Sequence, residues 1–343
     1  MKQEKQQKTQ QGVSGNCVGD APLQLRFPQP MTRQQWDNIF VQAADLGISF
    51  ILLAGGEPLM RKDVLQAAAA RKQILFPVFT NGTLMDEDML AFFEAHRNLI
   101  PILSLEGREE ATDGRRGAGV YGKLQKVMTE LQKREILYGA SITVHRENMA
   151  EVMSPEFTNE LESAGCRAII YVEYVPIGGS DSSAQITAKR ADQQDAEAVK
   201  QQEDIGFSIA EEGVTTQDTN GPANDANLAL TAEDRQTMMS TLNRLRSDQQ
   251  EMLFVAFPGD EMASGGCLAA GRGFFHINPY GDAEPCPFSP YSGGSLKEIS
   301  LKDALHAPLF AKLKESGILE EDHAGGCVLF GREDQVRRMA GGM

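Results

Sequence analysis

Apolar and polar positions in the chain alternate between two patterns. Trp36, Ile39, Phe40, Ala43 and Ala44 recur at helical spacing. Thr32 with Gln35 forms a capping box ahead of them and Gly47 supplies a stop behind them, so a helix is expected there. The next run, 48–54 (ISFILLA), is uninterrupted and ends at Gly55-Gly56, as a strand buried on both faces would. The alternation then repeats, with helix 61–71, strand 74–79, helix 86–95 and strand 99–105, and again with helix 122–133, strand 138–144, helix 154–164 and strand 167–175. A further helix opens at Thr231 and Asp234, and a strand follows at 252–257. Repeated βα units predict an α/β protein with a parallel sheet, either a barrel or an open doubly wound sheet, and periodicity does not separate the two closures.

Three stretches break the rhythm. Residues 1–31 are rich in Gln and Lys without periodicity and read as a polar tail. Residues 179–228 are rich in Gln, Asp, Ala, Ser and Thr and read as an acidic, disordered insertion. Between them, 106–116 (EGREEATDGRR) reads as a charged loop, with Arg115 or Arg116 free to meet a carboxylate or water. Gly117-Ala118-Gly119-Val120-Tyr121-Gly122 matches the dinucleotide fingerprint in letters only, because that fingerprint needs a strand immediately before it. The expected organisation is therefore a tail at 1–31, a βα core at 32–178, the insertion at 179–228, the end of the core at 229–264, and a cysteine-bearing appendage at 265–343.

Composition narrows the function classes. With 343 residues, 41% of them hydrophobic, the chain can bury a large core. Lys and Arg total 33 against 48 Asp and Glu, a net charge of -15 that disfavours a nucleic-acid partner. No apolar run reaches the roughly 18 residues of a membrane span, and MKQEKQQKTQQG has no secretory apolar region, so a cytoplasmic location is expected. Five cysteines make an odd count, which argues against a disulfide framework. Cys166 reads as packing and Cys17 as idle.

Candidate chemistry collects at strand ends. Gly55 and Gly56 let backbone approach a ligand, Glu57 adds a carboxylate suited to an amino group, and Pro58 opens a helical turn. Thr80 and Asn81, Ser104 with Glu106, and Ser141 with Thr143 also sit at or near carboxyl ends of strands, which converge on one rim in a parallel βα sheet. The cysteines near the C-terminus are the sharper signal. Cys267 is followed by thirteen residues, Gly281, four more residues and Cys286, with Cys327 beyond. A hairpin turning at Pro279-Tyr280-Gly281 would bring Cys267 and Cys286 together. Three thiolates gathered in this way suit an iron-sulfur cluster, or a zinc ion with His276 or His323 as fourth ligand.

Taken together, LLAGGEPL at 52–59, FTNGT at 79–83, SLEG at 104–107, YGASITV at 138–144 and YVEYVP at 171–176 resemble the radical S-adenosylmethionine superfamily. The cysteine spacing, with AGR at 270–272, is similar to the opening of the SPASM and twitch auxiliary-cluster domains. The resemblance implies a partial (β/α)6 barrel of the TIM type with a small appendage. It also implies S-adenosyl-L-methionine at the rim, with Gly55, Gly56 and Glu57 receiving the methionine amino group and Pro58 beside them in the cofactor-binding motif. Thr80, Asn81, Ser104 and Ser141 would line the pocket, and Val175 and Pro176 would flank the adenine. Cys267, Cys286 and Cys327 would hold an auxiliary 4Fe-4S cluster, with zinc as the alternative. The implied chemistry is hydrogen abstraction by a 5′-deoxyadenosyl radical from a peptide or small-molecule substrate, with a flavodoxin- or ferredoxin-type electron donor. One departure stands out. The family holds its radical-generating cluster with C-x3-C-x2-C just after the first strand, whereas here Cys17 stands alone. The expectation is thus either a chain whose first strand and cluster loop are lost, or a cluster-less paralogue acting as a binding protein with a structural zinc site.

Overall fold

The computed structural model describes residues 29–176, 226–321 and 327–341. Helix α1 (Arg33–Asp45) begins at the expected capping box: the Thr32 side chain accepts from the Gln35 amide, and the Gln35 side chain accepts from the Thr32 amide. Its buried residues Ile39, Phe40 and Ala43 lie on one stripe, and the Phe40 ring meets Phe76 edge-on at 5.1 Å. The rhythm that follows is α2 (Lys62–Ala69), β1 (Phe76–Thr80), α3 (Glu87–Ala95), β2 (Leu99–Leu105), α4 (Glu109–Arg116), α5 (Val120–Lys133), β3 (Gly139–Val144), α6 (Met149–Val152), α7 (Pro155–Ser163) and β4 (Ala168–Glu173). After the second described stretch begins come α8 (Ala232–Asp248) and β5 (Leu253–Phe257).

The five strands form one sheet in chain order, β1-β2-β3-β4-β5, with every pair parallel. Ahead of β1 the 48–54 run lies alongside as a sixth parallel segment. It makes isolated bridges, Phe50 to Leu75 and Leu53 to Val78, and the Leu53 amide donates to Pro77 O at 2.8 Å. Consecutive parallel segments with helices between them form a partial TIM-type barrel. The closure that periodicity left open is therefore the barrel. The expected strand at 48–54 is only bridged, and its Phe50 and Leu52 are 55% and 52% exposed.

Three other expectations are corrected. The charged stretch 106–116 is largely helical: Glu109 and Glu110 open α4 and Arg115 and Arg116 close it, the order that opposes the helix dipole. Regular structure resumes within the expected insertion, at the short helical turn Ala226–Leu228. The helix expected from Gly122 starts at Val120, because Asp113 accepts from the amides of Gly119 and Tyr121 and anchors the turn. The expected tail, most of the insertion, Cys17 and His323 lie outside the described residues.

The appendage contains the expected hairpin, β6 (His276–Ile277) with β7 (Ala283–Glu284), antiparallel around Gly281. It continues through α9 (Leu301–Leu305), α10 (Pro308–Glu315), α11 (Val328–Gly331) and α12 (Glu333–Met339). The appendage packs on the start of the barrel. The Met31 amide donates to Pro279 O, Lys297 Nζ donates to Gln29 O, and the Leu301 amide donates to the Gln42 side chain.

Candidate functional site

The first cluster of candidate residues is built around Glu57. After the 48–54 run, Gly55 and Gly56 take φ values of 89° and 44°, backbone that favours glycine, and a Cβ on either would meet nothing within 4 Å. Their role is therefore the turn itself, with open space above it. Pro58 starts a short 3-10 turn, and the Glu57 side chain caps it by accepting from the Leu59 amide at 3.0 Å. The same carboxylate crosses to the end of β1. It accepts from Thr80 Oγ1 at 2.8 Å and from the Asn81 amide at 2.9 Å. Glu57 thus joins two adjacent strand ends and holds the glycine turn against the rim.

Further around the rim, Ser104 on β2 and Ser141 on β3 are register partners, with Ile170 of β4 next in the same row. Both serines are half-buried, on the side opposite the fully buried Leu103, Leu105 and Ile142. The structure therefore brings Glu57, Thr80 and Asn81 into one hydrogen-bonded group and Ser104 and Ser141 into one row on the same sheet. Val175 and Pro176 continue from β4 and are half-buried, and the Tyr174 amide donates to Val144 O at 2.9 Å.

Sequence reasoning missed the pairing of Glu106 with its arginines and a pair of aromatic rings. Glu106, only 1% exposed, is clamped by Arg115 Nη1 at 2.6 Å and by Arg116 at 2.6 and 3.0 Å. The carboxylate that these arginines meet is internal, which corrects the expectation of an arginine free for a ligand. Beyond it, the rings of His145 and Tyr174 meet at 6.5 Å, and burial lowers the His145 pKa below 6.5. The Tyr174 hydroxyl is buried and has no hydrogen-bond partner among the described residues. A pair of rim aromatics after β3 and β4 carries no motif, so only the strand-end position hinted at it.

The second cluster is in the appendage. Cys267 follows Gly266, where a Cβ would stand 2.3 Å from Leu319 O, and its own amide donates to that carbonyl at 2.7 Å. Arg272, the last residue of the AGR tripeptide, donates to the carbonyls of Gly265, Cys267 and Leu319 and fixes this loop. The Ala270 amide donates to Pro285 O, which ties the loop to the one bearing Cys286. Cys327 is the N-cap residue of α11. All three cysteines, with Glu261, line one cavity of about 20 Å³ walled by Phe257, Pro258, Phe274, Phe288 and Val328.

The thiols influence one another. Burial raises Cys267 to about 12. Cys286 and Cys327 share a hydrogen bond. It drives the Cys286 value up and, helped by the α11 amides of Leu329 and Phe330, draws Cys327 down to about 7. Cys327 is thus the sulfur best prepared to be a thiolate. His276 does not line the cavity; its Nε2 lies 3.9 Å from Glu284 Oε2. Among the described residues no three His, Cys, Asp or Glu side chains are closed tightly enough to grip a metal ion as they stand. The three sulfurs nevertheless face one shared cavity. By donor chemistry, three soft thiols and a carboxylate in a dry pocket fit a thiophilic metal centre. Cys166 is fully buried and packs as expected.

No protein-family model matches the chain. The Fe-coproporphyrin III synthase of Methanosarcina barkeri is 27% identical over 166 residues, covering 48% of this chain and 41% of that protein. The AdoMet-dependent heme synthase of the same organism is 23% identical over 291 residues, covering 83% of this chain and 76% of that protein. A PqqA peptide cyclase of Granulibacter bethesdensis is 31% identical over 134 residues, covering 37% of this chain and 36% of that protein. The chain thus spans less than half of two of these relatives and about three quarters of the heme synthase. Among solved structures, Streptococcus suis SuiB bound to S-adenosylmethionine has a TM-score of 0.61 at 15% identity, over 88% of this chain and 67% of SuiB. SuiB bound to the precursor peptide SuiA gives 0.59 at 15% identity over 88% and 66%.

Proposed function

We propose, from the chain's membership of the radical S-adenosylmethionine superfamily, that it binds S-adenosylmethionine at the barrel rim and an auxiliary 4Fe-4S cluster on Cys267, Cys286 and Cys327. The observation that carries the reading is the Glu57 carboxylate, which fixes the Gly55-Gly56 turn to Thr80 and Asn81 at the end of a parallel barrel. That turn leaves open space where the methionine amino group would meet the turn, and the Ser104 and Ser141 hydroxyls offer polar contacts to the ribose. Val175 and Pro176 flank the adenine. When bound, the auxiliary cluster supplies an electron-transfer or substrate-binding centre. The chain's part is to hold it among phenylalanines that exclude water.

The radical-generating cluster is a different matter. The sequence contains no C-x3-C-x2-C, and no other three cysteines in it stand at that spacing. The residues present do not fit that group.

For the substrate we favour a peptide, since SuiB is solved with its precursor peptide and the PqqA cyclases are named for theirs. The longest of these alignments is to the heme synthase, which supports a tetrapyrrole as a second reading. A flavodoxin- or ferredoxin-type protein is the proposed electron donor. Zinc in the appendage is the alternative to iron, favoured by the cavity's volume of about 20 Å³, room for one water-sized guest. An iron-sulfur cube requires the sulfurs to move apart.

Titration calorimetry with S-adenosylmethionine tests the rim. Saturable binding at one site, weakened about tenfold or more by Glu57→Ala, is expected from the loss of charge-assisted hydrogen bonds. Absence of binding by the unaltered protein would remove the rim assignment.

A further inference from the structure

We propose that Glu261 is the fourth donor of the appendage metal site, making it a Cys3Glu centre in which the barrel itself contributes a ligand. The inference rests on the metal-site reading of Cys267, Cys286 and Cys327 and adds to it a residue that no motif or spacing marks.

Glu261 is 4% exposed and lines the same cavity as the three sulfurs. Apart from these four donors the lining is Phe257, Pro258, Phe274, Phe288 and Val328, all apolar. Three thiols and a carboxylate that face one apolar-walled cavity form a donor set suited to a thiophilic cation. The backbone explains the gathering. Glu261 lies in the 3-10 turn Asp260–Ser264 that follows β5. Gly265 and Gly266, with φ of 79° and 104°, then reverse the chain, and the Gly266 amide donates to Glu261 O at 3.1 Å. The reversal sets Glu261 beside Cys267 on opposite arms of one turn. His276 does not line the cavity, so it is not the fourth donor there.

The consequence is a link between the two parts of the molecule. Two sulfurs sit on loops around the hairpin and one at the N-cap of α11, whereas the carboxylate sits on the turn that follows the last barrel strand. Loading the site would therefore fasten the appendage to the end of β5. A carboxylate donor also leaves more readily than a thiolate on a soft metal, which gives the site one exchangeable position.

The test uses the full chain, reconstituted anaerobically with iron and sulfide in one arm and with zinc alone in the other. The proteins are the unaltered chain, Glu261→Gln, Glu261→Cys and Cys286→Ser, each checked for folding by its far-UV dichroism melt. In the iron arm, mild oxidation followed by EPR is expected to leave the unaltered chain and Glu261→Cys with four-iron clusters. Glu261→Gln should shed about one iron in four and show a three-iron signal. In the zinc arm, Glu261→Gln should bind about tenfold or more weakly, and Glu261→Cys should recover the affinity. Rescue by a sulfur donor separates ligation from packing. Unchanged iron content and zinc affinity in a folded Glu261→Gln would overturn the Glu261 assignment and leave the three-cysteine site standing. Failure of the unaltered chain to take up either metal would remove both.

Discussion

Two carboxylates with different surroundings, Glu57 half-buried and Glu106 buried, organise the rim. Glu57 accepts from Leu59, Thr80 and Asn81, so it is a brace between strand ends as well as a charge. Glu57→Ala is expected to lower stability by about 2 kcal/mol, read from urea unfolding, because three partners lose a charged acceptor. Glu106 is held by two arginines, one of them half-exposed. Arg116→Ala should cost roughly 1–3 kcal/mol, below the usual figure for breaking a buried pair, since Arg115 remains to neutralise the carboxylate. A loss no larger than that of a surface control would show that the clamp is idle. Two imidazoles set a pH limit. Burial lowers the pKa of both His145 and His276 from 6.5 in the folded chain. Below pH 6.5 the unfolded chain takes protons that the folded chain refuses, so the stabilisation present above that pH is lost as pH falls toward the folded-state values. NMR titration should place both midpoints below 6.5, and His276→Gln should reduce the drop in Tm between pH 7.5 and 5.5.

Elements with a clear hydrophobic period were legible in the sequence, and those built by charge or by close backbone approach were not. Helix α1 could be read from Thr32, Gln35 and the stripe at Ile39, Phe40 and Ala43. Helix α4 could not, because EEATDGRR buries only Thr112 and depends on the order of its charges and on Asp113 tying it to α5. The 48–54 run reads as a full strand by composition, yet it pairs with β1 through isolated bridges. The serine row became certain only with the register, since spacing along each strand says nothing about its neighbour's offset. Glu261 was invisible, one of two adjacent acidic residues in PGDEMASGG, and it acquires meaning through the turn at Gly265 and Gly266. That turn has its own consequence. Gly266→Ala places a methyl group against Leu319 O and on backbone with positive φ, so it should cost about 3 kcal/mol or more. Thr32→Ala, which removes only the α1 cap, should cost about 1 kcal/mol. Melting curves that rank the two in the opposite order would contradict this picture of the appendage.

At the scale of the whole molecule, a barrel and an appendage share a seam. Residues 29–31 meet Pro279 and Lys297, Arg61 donates to Met31 O, and Gln42 of α1 accepts from Leu301. The rim and the cysteine cavity are thus carried by one continuous framework, with β5 leading directly into the wall of the cavity through Phe257 and Pro258. Among the described residues no helix is long and apolar enough to cross a membrane. The net charge of -15 favours a basic surface on any protein that docks, an electron donor included. The account as a whole turns on what the three sulfurs bind. Iron and acid-labile sulfide should therefore be measured together in the unaltered chain and in Cys286→Ser after anaerobic reconstitution. The account predicts brown protein containing both in equal amounts, with the colour lost in the variant. Zinc without sulfide, or a colourless product with neither, would contradict it.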